Sequence, residues 1–323
     1  MVNIKDLAKQ AGVSVTTVSR VLNNHPYVSD AKRQAVNEAI KATNYRRNIN
    51  AVHLSTGQTH LIGVVLPFLD HPYFMNVVKG ITQAAKAKGK HIVLFETGYQ
   101  HEKEKSALTM LENKQIDAVI FCSRSHQLKT LEAYASYGPV VLFEDVKTNK
   151  CRTTFINHSR VFTEALGYLY DQGHRRIGYS VYRQTGTNSL ARKKAYQSFL
   201  VSHHLSYNPD YVFTGCLYAE DGNALINQLK CLTAPPTAIL VTSDQVAAGM
   251  IISARNAGIK IPQDLALIGF NDEPIASLLD LTTIKLPLEQ VGQSLLDQAL
   301  GKQVSHREMA STFIQRKTVE ANE

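Results

Sequence analysis

The chain has no tryptophan, no long hydrophobic run and only four cysteines in 323 residues. Each shortage excludes something. No apolar stretch approaches the roughly 20 residues that a membrane span requires, and the N-terminus reads as a polar helix, not as the apolar core of an export signal. Cys122, Cys151, Cys216 and Cys231 lie far apart, without metal-ligand spacing. They read as reduced structural thiols of a cytoplasmic protein. Catalytic signatures are equally sparse. No glycine-rich phosphate loop or dinucleotide fingerprint follows an apolar run, and neither a Gly-x-Ser-x-Gly elbow nor a His-Glu-x-x-His pair occurs. The histidines are scattered, and the adjacent His203 and His204 cannot face one ligand. The expectation is a protein without enzymatic activity, cofactor, metal or membrane partner.

What is present is a soluble composition, 44% hydrophobic and 19% charged, in a chain long enough for two or three globular units. Charge is unevenly placed. Residues 1–60 hold eight Lys/Arg against Asp6, Asp30 and Glu38, a net of +5 out of +8 for the whole chain. A polyanion would be met at the N-terminus.

Helical pattern coincides with that charge. Ile4, Leu7, Ala8 and Ala11 make one apolar face. Asn3 is an N-cap, Asp6 can reach back to it, and Gly12 supplies the positive φ that ends the helix. Ser14 caps a second helix whose Val18, Val21 and Leu22 pack back on the first. Val15, Thr16, Thr17, Ser19 and Arg20 are thereby turned outward. Ser29 caps a third helix with Val36 and Ile40 on its buried side. Two short helices joined by a tight turn suit a DNA major groove, although the residues alone leave open any three-helix module with a charged surface.

Residues 45–60 are too polar for a core and read as a linker, within which 48–55 could form about two helical turns, marginal without a partner. From residue 61, short apolar runs alternate with amphipathic stretches. The runs are 61–67, 91–96, 117–122, 139–143, 176–181, 211–214, 238–242 and 265–270, and the helical stretches are 73–88, 102–114, 127–137, 189–203, 220–231 and 245–257. Such repeats imply parallel sheets with helices on both faces. The strands are too many for one small domain, so two α/β lobes are expected, with a ligand in the cleft beyond the strand ends.

The run Gly12-Val13-Ser14-Val15-Thr16-Thr17-Val18-Ser19-Arg20-Val21-Leu22-Asn23 resembles the N-terminal signature of the lactose-repressor/galactose-repressor (LacI) family. The body agrees at Asp70-His71-Pro72-Tyr73-Phe74, at 243–249, and at Ile268-Gly269-Phe270-Asn271-Asp272-Glu273 followed by Leu281-Thr282-Thr283-Ile284. The resemblance implies a helix-turn-helix headpiece (1–46), a hinge helix (47–60) and a two-lobed periplasmic-binding-protein-like domain (61–323). The first lobe is expected at about 61–157 plus 287–316 and the second at about 158–286. It also implies base reading by Val15 and Thr16, a two-pronged contact from Arg20 to guanine, and phosphate contacts from Ser14, Thr17, Asn23 and Tyr27. In the hinge, Asn48, Ala51 and Leu54 match DNA-contacting positions, Leu54 standing where the family places a minor-groove wedge.

By the same resemblance, Tyr73, Phe74, Glu144, Arg192, Ser243 and Asn271 fall at effector-cleft positions. Departures are specific. Arg47 stands where many members have proline, and Val52 where arginine or glutamine is frequent. Asn271 replaces a frequent aspartate and Ser243 a frequent asparagine. Leu217 and Leu288, at positions that are aromatic in some sugar-binding members, read as packing. The expected protein is a cytoplasmic homodimeric repressor on a pseudo-palindromic operator, controlled by a small metabolite such as a sugar or sugar phosphate. No heptad leucine tail follows Gln315-Arg316-Lys317. Two alternatives stand beside it: the same regulator switched by a protein co-regulator over a vestigial cleft, and a solute-binding protein, against which residues 1–60 argue.

Overall fold

The computed structural model describes residues 2–46, 52–53 and 56–322, and the chain divides into two units, Met1–Thr59 and His60–Glu323. In the first, α1 (Ile4–Gln10) begins with a complete capping box. The Asn3 side chain accepts from the amides of Lys5 and Asp6, while the Asp6 carboxylate accepts from the Asn3 amide at 3.0 Å. Gly12 takes φ +63°, the left-handed turn that a side chain would strain. Helix α2 (Val15–Leu22) starts at Ser14, whose hydroxyl accepts from the Thr17 amide at 3.1 Å. Helix α3 (Asp30–Thr43) follows Ser29, which has the extended N-cap backbone but makes no side-chain cap bond. Leu7, Ala8, Val18, Val21, Val36 and Ala39 form the buried core, with Leu22 and Ile40 packed at its margin.

Between the headpiece and the first strand, Val52, His53 and Thr56 are helical, and the Gly57 amide donates to the His53 carbonyl. Arg47, Asn48, Ala51 and Leu54 lie outside the described residues.

The second unit alternates strands and helices: β1 (Leu61–Leu66), α4 (Pro72–Ala87), β2 (His91–Glu96), α5 (His101–Glu112), β3 (Ala118–Phe121), α6 (Leu128–Tyr134), β4 (Val140–Leu142) and β5 (Arg152–Phe155). It continues with α7 (His158–Asp171), β6 (Ile177–Val181), α8 (Thr187–Ser202), β7 (Val212–Thr214), α9 (Ala219–Lys230), β8 (Ala238–Val241), α10 (Asp244–Asn256) and β9 (Ala266–Asn271). It closes with α11 (Pro274–Leu278), β10 (Thr283–Lys285), α12 (Leu288–Leu300), β11 (His306–Glu308) and β12 (Thr312–Ile314).

Two six-stranded sheets result, ordered β11-β5-β4-β3-β1-β2 and β12-β10-β9-β8-β6-β7, parallel throughout except that β12 runs against β10. Central strands such as β1 and β3 are apolar on both faces because helices cover both. In the first lobe α4 and α12 cover one face and α5 and α6 the other; in the second, α7 and α8 oppose α9 and α10. Glycines let two helix pairs touch backbone to backbone. A methyl on Gly292 of α12 would overlap the Val77 carbonyl of α4, and one on Gly249 of α10 the Ala219 carbonyl of α9.

The chain crosses between the lobes three times: between β5 and α7, between β10 and α12, and between β11 and β12. The last crossing corrects the sequence expectation. The first lobe's returning segment ends near Glu308 and not at residue 316, because β12 pairs with β10 and the tail continues along the second lobe. There the Leu267 amide donates to the Thr318 carbonyl and the Asn322 amide to the Gln172 carbonyl.

Candidate functional site

The headpiece offers one helix face. Val18 and Val21 seat α2 on the core, which forces Val15, Thr16 and Arg20 to the exposed side, Val15 at 40% exposure. Thr17 and Ser19 are half-buried at the edge of that face. The Thr17 hydroxyl lies 2.9 Å from that of Ser14, so these two hydroxyls share one bond besides the cap. Asn23 is exposed, and Tyr27 stands out at 84% exposure in the loop before α3. That loop is held by Arg33, whose guanidinium donates to the His25 carbonyl at 2.9 Å. A helix with short side chains at its start and a guanidinium one turn on, projecting from a small rigid core, can enter a major groove and donate to base edges.

The second unit carries a cavity of about 120 Å³ between its lobes, beyond the carboxyl ends of the strands. Tyr73, Phe74, Glu144, Arg192, Ser243 and Asn271 all line it. Residues more than a hundred positions apart meet because each follows a strand end. Leu217, expected as packing, is also on the wall, whereas Leu288 is buried at the start of α12.

Arg192 is one of the residues that line this cavity. Its Nη2 donates to His158 Nδ1 at 3.2 Å, its guanidinium carbon lies 5.1 Å from the Phe270 ring centre, and its Nε is buried without a hydrogen-bond partner. Since arginine only donates, His158 Nδ1 accepts and the imidazole proton sits on Nε2. Burial and the adjacent guanidinium hold His158 well below the usual histidine pKa, so it is neutral. Burial lowers the Arg192 pKa to about 10, which leaves it charged at neutral pH. Burial likewise pushes Cys122 up to about 12, making it an unreactive wall residue.

The end of β9 is strained. Asn271 and Asp272 are consecutive non-glycine residues with φ of 110° and 56°. Such backbone persists where surroundings fix it. Here the Asn271 amide donates to Glu273 Oε1 at 3.2 Å, and Arg316 grips Asp272 Oδ1 at 2.7 Å. Beneath them, buried Asp244 accepts from the Glu273 amide and the Thr283 hydroxyl, and burial raises its pKa to about 7.

The cavity mouth is bridged from lobe to lobe. Arg183 donates to the Ser123 hydroxyl (3.2 Å) and the Arg124 carbonyl (3.0 Å), with its guanidinium 3.8 Å from the Tyr99 ring centre. Glu144 is paired with Arg124 at 2.9 Å and accepts from the Thr187 hydroxyl at 3.0 Å. Tyr218 donates to Asp70 at 2.8 Å, and His71 Nε2 lies 3.3 Å from the Leu217 carbonyl. Sequence reasoning missed Tyr99, Arg124, His158, Arg183 and Thr187. Their signal was position, since Tyr99, Arg124 and Arg183 each follow an apolar run within a few residues.

Among the described residues no group of side chains is arranged to hold a metal ion, and no helix is long and apolar enough to cross a membrane.

Residues 3–48 match the bacterial regulatory proteins of the lacI family, and residues 59–321 match the periplasmic binding proteins and sugar binding domain of the LacI family. The chain is 39% identical over 323 residues to the uncharacterized HTH-type transcriptional regulator YkvZ of Bacillus subtilis (strain 168), covering 99% of this chain and 100% of that one. It is 36% identical to catabolite control protein B of the same organism, over 90% and 92% of the two chains. Among solved structures, a LacI family regulator from Lactobacillus casei with bound glucose superposes with a TM-score of 0.73 at 28% identity, covering 80% of this chain and 99% of that one. The lac repressor dimer bound to operator and the anti-inducer ONPF gives 0.82 at 24% identity over 99% of both, a likeness of fold. An outward-facing helix on a three-helix core, a two-lobed α/β unit and family matches over both parts leave one conclusion: the chain belongs to the LacI family of DNA-binding transcriptional regulators.

Proposed function

We propose that this regulator is a repressor that binds a pseudo-palindromic operator as a homodimer and is controlled by a small polar metabolite, a sugar or sugar phosphate, in the interlobe cavity. The observation that carries the DNA-binding part is the exposed row Val15, Thr16 and Arg20 on a helix seated by Val18 and Val21. In this reading those three read bases, Ser14, Thr17, Asn23 and Tyr27 hold phosphates with Ser19 beside them, and Asn48, Ala51 and Leu54 belong to the hinge. Tyr73, Phe74, Glu144, Arg192, Ser243 and Asn271 form the effector wall. Two-fold operator symmetry demands a two-fold protein. The contacting helices α10 and α11 expose Ile252 and Leu278 at 55% and 79%, an apolar pair suited to a copy of the same surface.

Coupling follows from the three crossings. They act as the pivots of the two lobes, and an effector that prefers one lobe arrangement shifts the equilibrium by its differential affinity and no more. The test is fluorescence anisotropy on an operator selected in vitro from random duplexes, with sugars and sugar phosphates added singly. Expected are tight binding to the selected duplex, weaker salt-sensitive binding to scrambled duplex, and a shift of about tenfold, about 1.4 kcal/mol, from one compound. Equal affinity for both duplexes defeats the proposal. Specific binding that no compound moves transfers control to a protein co-regulator.

A further inference from the structure

One edge of the first lobe gathers positive charge. Strands β1, β2, β3, β4, β5 and β11 are all parallel, so their first residues lie along the same edge of the sheet. Register fixes the row: Leu61 stands beside His91, Val141 beside Arg152, and Thr153 beside His306. The segments that lead into these strands are therefore neighbours. Backbone bonds join them, the His91 amide donating to the His60 carbonyl, that of Asp117 to Leu61 and that of Thr153 to Ser305. These segments carry Lys86, Lys88 and Lys90 before β2, Lys114 before β3, Lys150 and Arg152 at β5, and Lys302 before β11. Against these cations stand Glu112, Asp117, Glu132 and Asp297, which leaves a net of +3. Residues 61–323 carry +3 in all, since residues 1–60 hold +5 of the chain's +8. This edge accounts for the whole surplus.

The four acids are already engaged. Asp117 accepts from Lys90 at 3.2 Å and from the His60 amide, and Asp297 accepts from Lys88 at 2.6 Å. Glu132 accepts from the Thr148 hydroxyl and Glu112 from the Tyr137 phenol. Lys114 donates to the Tyr137 carbonyl and Arg152 to that of Gln303. Lys86, Lys150 and Lys302 are exposed and have no acidic partner among the described residues. Helix dipoles do not explain the row. Of α4, α5, α6 and α12, whose C-termini lead to this edge, only α4 has a base in its last turn, Lys86.

The chain leaves for the headpiece within this row. It does so at His60, ahead of β1, with β3 and its Lys114 on one side and β2 and its lysines on the other. Only residues 47–59 separate Arg46 from His60, and a chain of that length reaches no further than about 50 Å. At about 4.8 Å per strand the six-stranded edge is about 24 Å long, comparable with the roughly 34 Å of one duplex turn.

We infer that this edge of the first lobe is a second DNA-contacting surface, at which Lys86, Lys150 and Lys302 meet backbone phosphates. It rests on DNA binding by the headpiece and not on the cavity. The occupant is duplex DNA because the headpiece holds that polyanion on the same short tether. A row of free ammonium groups, each a point charge, also suits a row of phosphates. Like charges gathered on one edge repel one another, and a duplex laid along them removes that cost. Such contacts add affinity without reading sequence.

The test is the salt dependence of DNA binding by the full-length protein, followed by fluorescence anisotropy on the selected operator and on a random duplex. One variant carries Lys86→Gln, Lys150→Gln and Lys302→Gln, and a second carries Lys86→Arg, Lys150→Arg and Lys302→Arg. A third, Lys194→Gln with Lys230→Gln and Lys260→Gln, removes the same charge from exposed positions of the second lobe. Each lost phosphate contact makes the plot of log K against log salt shallower by about 0.9. The first variant is expected to lose about 2–3 of that slope on both duplexes and to bind at least about tenfold more weakly at about 0.1 M salt. The arginine variant and the second-lobe variant should keep the parent slope. An unchanged slope in the first variant overturns the inference and leaves the edge to another polyanion, such as an acidic protein. Equal losses in the first and third variants overturn it as well, because the effect is then net charge acting at a distance. Circular dichroism establishes folding. Should the first variant not fold, its three single substitutions replace it, each expected to lower the slope by about 1. Failure to select a specific operator leaves the random-duplex measurement intact, so the two failures are distinct.

Discussion

Removing the Arg183 side chain should release the lobes. Arg183 donates across the cavity mouth to the Ser123 hydroxyl and the Arg124 carbonyl and lies over the Tyr99 ring. Each neutral-acceptor bond is worth about 0.5–1.5 kcal/mol net, and the ring contact about 0.5–1 kcal/mol at a site open to water. Because Arg183 is only partly buried, the lower half of the sum applies. Arg183→Ala is therefore expected to move the lobe equilibrium by about 2 kcal/mol, about 30-fold, toward separation. Cys231, an exposed thiol of the second lobe, and a cysteine at exposed Glu102 of the first provide labelling sites for single-molecule energy transfer. The variant should populate a longer-distance state that the parent occupies rarely. A double-mutant cycle with Tyr99→Leu should return a coupling of about 0.5–1 kcal/mol for the ring contact. An unchanged distance distribution, or zero coupling, would refute the assignment of Arg183 as a lobe clasp.

Other consequences can be checked independently. Arg20→Ala should cost about 1–3 kcal/mol on the selected operator and leave salt-sensitive binding to random duplex intact; equal losses on both would show that Arg20 serves only phosphates. Ile252→Asp with Leu278→Asp should turn a dimer into a monomer in sedimentation velocity, and an unchanged mass would place the contact elsewhere. His158 gives a pH dependence. Its pKa is lowered by folding, so the unfolded chain takes up its proton first, and stability is lost as pH falls below about 6.5. His71 and His174, also lowered by burial, act in the same direction, and Asp244, raised to about 7, acts oppositely as pH rises. Comparison with His158→Leu removes these shared contributions. Between pH 7 and 5 the parent should lose up to about 1.4 kcal/mol per pH unit relative to the variant in urea unfolding. Parallel curves would contradict the buried neutral imidazole.

Much of this protein was decided locally. The Asn3–Asp6 box, the positive φ of Gly12 and the Ser14 cap lie within a few residues of what they control, so α1 and α2 and the outward face of α2 follow from short-range chemistry. The apolar runs at 61–67 and 91–96 announce strands for the same reason, β1 ending one residue earlier at Leu66 and β2 coinciding with its expected range. Helix α7 carries Val161, Phe162, Ala165, Leu166 and Leu169 at helical spacing, but the strand before it, Arg152–Phe155, is too polar to announce a new unit, and the sequence reading assigns neither. Strands β11 and β12 have three residues each and little burial. Which sheet each joins is settled by pairing with β5 and with β10, partners more than twenty residues away. The cavity lies at the same level. Tyr73, Glu144, Arg192 and Asn271 are isolated polar or aromatic residues in sequence, and their meeting depends on two sheets aligning their strand ends. That Arg192 meets His158 while Glu144 is claimed by Arg124 follows from the side-chain partners each finds within its own lobe, brought together by neighbouring strands and helices. Periodicity and caps act over one or two turns of chain, whereas a counter-charge is chosen by distance in space.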